Sequence, residues 1–236
     1  MRFVCSSFCT IIIYLWLSPL IEPLPKRAIE LNPNVSQIHF YYAMNYLSPM
    51  GRTDEAIREL KQTLELEQLS IVNRVNLAVV YSYARQNERA LEQAKIAYDL
   101  EPNFVIGRIG LGYIYNANGM YVEAISLGEE SLRIYPANQD FLMITGYAYA
   151  KSDHRREAEE TVKKFKEVAK TQYVAPYYIA IIYGALGERD DAFAELEKAF
   201  AEHDWSLQLL KVDPYMDSLR DDPRFKDLLR RMGLPY

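Results

Sequence analysis

The sequence predicts an all-α protein, an α-solenoid of stacked helix-turn-helix units. Three observations carry that expectation. Alanine recurs at Ala56, Ala90, Ala124, Ala158 and Ala192, spaced by 34 residues each time. Twelve residues before the later alanines stands a small residue (Ala78, Gly112, Gly146, Ala180), and nine before stands a tyrosine (Tyr81, Tyr115, Tyr149, Tyr183). Turn glycines recur at Gly51, Gly119 and Gly187, with Arg85 and Asp153 in the alternate units. Units end at Pro33, Pro102 and Pro136, with Gln68, Lys170 and Asp204 at the other ends. In the first unit Ala43 and Tyr46 are both displaced by one residue, which implies a one-residue insertion in the loop Ser48-Pro49-Met50-Gly51.

The central unit, residues 105–138, shows the local logic. Val105 to Asn116 carries apolar residues at helical spacing, and Asn118-Gly119 is a turn signal. A second helical run, Tyr121 to Ile134, stops at Tyr135-Pro136, because proline biases its predecessor away from helix. Neither helix is long or apolar enough to be stable alone, so the unit needs stacked neighbours.

A 34-residue period with Leu-Gly-x-x-Tyr, then Ala, then Pro resembles the tetratricopeptide repeat (TPR) family, and five units in register make the resemblance specific. It covers residues 36–70, 71–104, 105–138, 139–172 and 173–206. A half unit, residues 26–35, precedes them, and the array as a whole spans residues 26–206. The early tryptophan of the family is replaced by His39, Arg74, Arg108, Leu142 and Pro176. The large residue four after the alanine persists at Leu60, Val162 and Leu196 but shrinks to Ala94 and Gly128, so looser packing is expected in the second and third units. The resemblance implies a right-handed solenoid whose first helices line a concave surface.

At the start of the chain, residues 1–25 form a hydrophobic segment. Phe3 to Ile21 is uncharged and follows Met1-Arg2, which reads either as a signal or membrane anchor or as an altered start. Export or anchoring would follow from the first reading and a cytoplasmic protein from the second. Pro23 and Pro25 are expected to break the helix that the half unit requires. Both cysteines, Cys5 and Cys9, lie in this segment, so the repeats have no disulfide framework and no Cys/His metal site. His39, His154 and His203 fall at unrelated places in their units and read as exposed or helix-packed.

The net charge of −5 gives no reason to propose nucleic acid as a partner. Acidic pairs such as Asp190-Asp191 and Asp221-Asp222 stand where helices begin, as capping and the macrodipole favour. No nucleophile with a matching base, acid/base pair, phosphate loop, metal site or cofactor motif is apparent, so the chain reads as a non-enzyme. Gly107, Gly110 and Gly112 fall within one helix; close packing accounts for Gly112, while Gly107 and Gly110 are expected to widen the groove. Tyrosine, at 19 residues, exceeds what the repeating column explains.

By carry-over from the family, the groove is lined by Phe40, Met44, Val75, Val79, Ile109, Tyr113, Asn116, Met143, Tyr147, Tyr177 and Ile181. This surface is apolar and aromatic, so a peptide or protein segment with apolar or aromatic anchors is the expected partner. Burial of part of that surface within the molecule is the competing expectation. Membrane contact is expected only through the N-terminal segment. The charged turn from Lys151 to Glu157, with Lys163, Lys164 and Lys166, reads as a solvated outer face.

After Ser206 the period is lost, and residues 207–236 read as a C-terminal cap. Asp213-Pro214 and Asp222-Pro223 each place an N-cap acid before a first-turn proline, predicting short helices over Tyr215–Arg220 and Arg224–Met232. Leu219, Phe225, Leu228 and Leu229 would cover the last apolar face. The end of the chain also resembles that of large bacterial TPR regulators. The function expected is a non-catalytic interaction scaffold, as the detached sensory half of such a regulator or an envelope-anchored assembly factor. A non-catalytic subunit of an enzyme complex is the remaining alternative.

Overall fold

A computed structural model describes residues 22–235; the hydrophobic segment 3–21 and both cysteines lie outside the described residues. The elements are α1 (Pro23–Leu31), α2 (Ser36–Tyr42) continued by a π-turn (Ala43–Leu47), α3 (Thr53–Leu66), α4 (Ile71–Tyr83) and α5 (Asn87–Leu100). They continue with α6 (Val105–Ala117), α7 (Tyr121–Ile134), α8 (Gln139–Lys151), α9 (Arg155–Val168), α10 (Pro176–Leu186) and α11 (Arg189–Ala201). Two 3-10 segments (Trp205–Leu209 and Pro214–Leu219) lead into α12 (Pro223–Arg231). The helices pack as consecutive pairs into an α-solenoid, with no strand among the described residues.

The pairing follows from the small-residue columns. Ala56, Ala90, Ala124, Ala158 and Ala192 are all fully buried, as are Ala43, Ala78 and Ala180. A Cβ on Gly146 would lie 2.5 Å from Ile182 and 2.9 Å from Thr161, so that site meets both its own partner helix and the next unit. The two helices of the third unit meet less closely than those of the fifth, as expected, whereas those of the second do not. Ala94 is fully buried, and a Cβ on Gly128 would lie 2.3 Å from the Thr145 hydroxyl, so the small residues bring neighbouring helices closer. Gly110 behaves likewise, since a Cβ there would sit 2.6 Å from Val75; Gly107 faces Ile71 and the Ala97 carbonyl. These glycines are points of contact with the preceding unit and do not widen a groove.

Each turn between paired helices reverses through a left-handed residue: Gly51 (φ 76°), Arg85 (60°), Gly119 (73°), Asp153 (64°) and Gly187 (79°). Arg85 and Asp153 therefore adopt the conformation that glycine takes in the other units, against the steric preference of a side chain. The turn beginning at Leu47 has the same backbone bond as the others, Arg52 N–H to Leu47 C=O at 2.9 Å, matching Gln86 to Tyr81 at 2.8 Å. The extra residue of the first unit is therefore not in the loop. It is absorbed in the helix as the π-turn, where Ser48 N–H reaches Ala43 C=O at 2.9 Å.

Pro23 and Pro25 do not break α1. Both fall in its first turn, where backbone N–H groups have no intrahelical acceptor to lose. The positions where tryptophan is replaced acquire a different role. His39 donates to the Pro33 carbonyl (2.8 Å), Arg74 to the Gln68 carbonyl (2.9 Å), and Arg108 to the Pro102 carbonyl (3.2 Å). Three successive units thus anchor their first helix to the carbonyl that ended the unit before. Arg108, almost fully buried, also donates to Ser131 Oγ and pairs with Glu130 at 2.8 Å.

The repeat columns stop after Ser206, as expected, with Lys226, Pro214 and Asp217 at the next alanine, small-residue and tyrosine positions, but contacts at the repeat spacing continue. Arg224 pairs with Asp190, Arg231 forms a two-pronged pair with Glu197, and Ser218 donates to the Gly184 carbonyl, each pair 34 residues apart. Segment Pro214–Leu219 and α12 thus stand where a sixth unit would, with Phe225, Leu228 and Leu229 buried beneath. The first of these two short helices is a 3-10 segment. Gly110→Ala should destabilise the fold by about 1–3 kcal/mol through overpacking against Val75, despite the better helix propensity of alanine. A lower urea midpoint at unchanged slope would show it.

Candidate functional site

The first helices of the units form an inner face, and the C-terminal segment turns back across it. Lys211 Nζ donates to the Met50 carbonyl at 3.2 Å in the first unit, and Arg85 in the second pairs with Asp217 at 2.7 Å. Tyr215 is buried between Tyr113 and Tyr147, its ring centroid 4.5 and 4.3 Å from theirs, and its hydroxyl donates to the Tyr113 carbonyl at 3.0 Å. Apolar side chains of this strap divide between the two core clusters. Leu209 and Val212 join the one built on the first units, and Leu207, Leu210 and Tyr215 join the other.

Asp213 fixes the strap in place. It caps the segment that follows by accepting from Tyr215 N–H at 3.0 Å. The same carboxylate accepts from the hydroxyls of Tyr113 (2.8 Å) and Tyr177 (2.9 Å), on α6 and α10. Arg220 donates to the carbonyls of Lys211 and Asp213, closing the backbone around it. Burial pushes the Asp213 carboxyl above its ordinary value, opposed by the Tyr215 N–H, the two phenols and the Arg220 charge. Burial, reinforced by the Asp213 charge, pushes Tyr113 and Tyr177 well above the usual phenol range, so both remain donors.

The strap divides the inner face into two cavities. One, of about 260 Å³, is lined by Phe40, Met44, Val75, Val79, Ile109, Tyr113, Met143, Tyr177 and Ile181 together with Tyr83, Asp140, Tyr178, Trp205, Leu209 and Asp213. Nine of the eleven residues expected in the groove meet here. Val75, Met143, Tyr177 and Ile181 are buried in its floor, and the other five are only partly covered. Asn116 and Tyr147 face the second cavity, of about 380 Å³, with Arg85, Lys151 and Asp217. Asn116 is spent on architecture, donating to the Ile144 carbonyl of the next unit at 2.8 Å.

The repeat pattern gave no sign of Asp140, Asp213, Tyr83, Leu209 or Trp205 at this site. Asp140 accepts from Tyr178 Oη at 2.7 Å, and burial raises its pKa while that bond opposes the shift. The tyrosine surplus was the available signal, because Tyr113, Tyr147, Tyr177, Tyr178 and Tyr215 all gather around these acids or the strap. Among the described residues no three His, Cys, Asp or Glu side chains are grouped as a metal site requires, and no helix is long and apolar enough to cross a membrane.

A carboxyl whose folded pKa is raised contributes stability that is fully present below its unfolded value and is lost as pH rises through the folded value. Asp213 should therefore make the protein more stable, relative to Asp213→Asn, as pH falls from neutral toward the ordinary aspartate value of 3.8. Thermal melts of both proteins across that range test this, and parallel pH profiles would contradict it.

No family model and no curated sequence matches the chain; solved structures do. A thermophilic TPR protein from Thermus thermophilus superposes with a TM-score of 0.59 at 20% identity, over 78% of this chain and 99% of that one. PilW, a widely conserved type IV pilus biogenesis factor, gives a TM-score of 0.57 at 15% identity, over 89% of this chain and 98% of its own. At these identities the likeness is one of fold. Helix pairs in a 34-residue period, small residues at their crossings and these superpositions agree: the chain has the fold of the tetratricopeptide repeat proteins.

Proposed function

We propose that the chain is a protein-interaction scaffold, which receives part of a protein or peptide at the apolar cavity of its inner face. The observation that carries this reading is the cavity itself. Five of its wall residues, Phe40, Met44, Val79, Ile109 and Tyr113, are left partly uncovered in a molecule that buries its alanine column completely. A concave apolar site with a few convergent polar groups is the usual form of a binding site. The strap narrows what can enter. With Tyr215 and Asp213 seated across the inner face, the site accepts an anchor side chain and its flanks; it does not accept an extended segment running the length of the array.

Two settings suit such a scaffold. As the interaction half of a regulator it would act on an effector domain; as an envelope assembly factor it would be held by residues 3–21. Cleavage or membrane retention of that segment in the expressed protein selects the second setting.

Peptides selected from a displayed library on the full chain should compete for a single site. Val79→Trp, which enlarges a partly covered side chain of the cavity wall, should weaken them by about tenfold or more, as blocking an anchor pocket does. Lys163→Glu on the exposed outer helix should leave affinity unchanged. Peptides that lose affinity only with the outer substitution would refute the cavity as the site.

A further inference from the structure

We infer that the apolar cavity takes a cationic group on an apolar stem, an alkylammonium or guanidinium such as a lysine or arginine side chain carries. The inference rests on the reading of this cavity as the binding site and adds the chemistry of what enters it.

The charge on the walls is of one sign. Asp140 and Asp213 line the cavity, and no lysine or arginine does. Asp140 is held by a neutral phenol, Tyr178, and desolvation without a nearby cation dominates its environment. Asp213 is likewise held by two phenols and a backbone N–H. The one guanidinium near it, Arg220, donates to the carbonyls of Lys211 and Asp213, pairs with Asp217 and faces the Phe225 ring; its charge partly offsets the burial of Asp213, so Asp140 is the less compensated of the two. Asp204, capping the segment that forms the mouth, adds a third negative charge felt by Tyr177 and Tyr178.

The remaining wall suits the stem and the charge together. Val75, Val79, Ile109 and Met143 offer apolar contact, and Phe40 and Trp205 offer ring faces. Trp205 lines the cavity and is 59% exposed, and an indole face is the strongest aromatic partner for a cation. A neutral apolar side chain would bury these carboxylates further without compensation, and an anion would be repelled by them. A cation offsets the desolvation already present, so charge complementarity decides among the occupants that fit.

The test is calorimetry on the full chain with two capped tripeptides, acetyl-Phe-Lys-Leu-amide and its twin carrying norleucine in place of lysine. The lysine peptide should bind about tenfold tighter than its twin, the scale of a charge-assisted contact reinforced by an aromatic face. Asp140→Asn keeps an acceptor for Tyr178 and should remove most of that preference, bringing the affinities of the two peptides together. Trp205→Ala, at an exposed position that leaves the core intact, should reduce the preference by several-fold. n-Pentylamine as a third probe separates the sources: binding as tight as the lysine peptide identifies a free amine, and binding only within the peptide identifies a partner's side chain. Equal affinity of the twins overturns the inference but leaves an apolar scaffold site standing. The inference is equally overturned if neither peptide nor amine binds, or if Asp140→Asn leaves the preference intact.

Discussion

One buried carboxylate decides what the inner face of this solenoid is. Asp213 begins a 3-10 segment, as its place before a proline requires, and the same carboxylate holds tyrosines on two units far apart in sequence. An unpaired buried carboxylate would be too costly to keep. Three donors and a nearby guanidinium make it tolerable, and Tyr215 then follows into the space between Tyr113 and Tyr147. Without that arrangement the apolar part of the inner face, with Val79 and Ile109, and the polar part, with Asn116 and Lys151, would form one open surface. With it they present two separate cavities of opposite character.

The division gives the surplus tyrosines a physical reason. A phenol combines a large apolar ring with one donor, so it can line an apolar cavity and also satisfy an acid within it. Tyr113, Tyr177 and Tyr178 do both, and their elevated pKa values keep the proton where the carboxylates need it. The repeat column at Tyr81 and its equivalents serves helix packing, whereas the additional tyrosines serve the strap and the acids.

The repeat was legible because close helix crossings demand small side chains at fixed intervals, and Ala56 through Ala192 satisfy that demand without exception. The left-handed turns were legible by position: Arg85 and Asp153 stand where glycine does elsewhere, and they take its conformation. The π-turn was not, since Ala43 and Tyr46 reveal a residue inserted before Ala56 without revealing whether loop or helix absorbs it. Gly110 is indistinguishable from a helix-weakening glycine until the fold brings Val75 opposite it. Nine of the eleven expected groove residues share one cavity because helical phase alone selects a face. The acids opposite them escaped notice because Asp213 meets Tyr113 across 100 residues, a relation no period encodes.

Repeat arrays are ordinarily quasi-one-dimensional, each unit touching only its neighbours, and they can fray from either end. The bond from Lys211 to the Met50 carbonyl joins residues 161 apart and so ties the last part of this array to the first. Together with Arg85–Asp217 and the Tyr215 stack it converts a line of units into a closed ring of contacts. The units inside that ring have no free end from which to unzip. Tension or denaturant must break the strap before the units between Met50 and Asp217 can separate, so those units are constrained to be lost together, while α1 and α12 lie outside the closure.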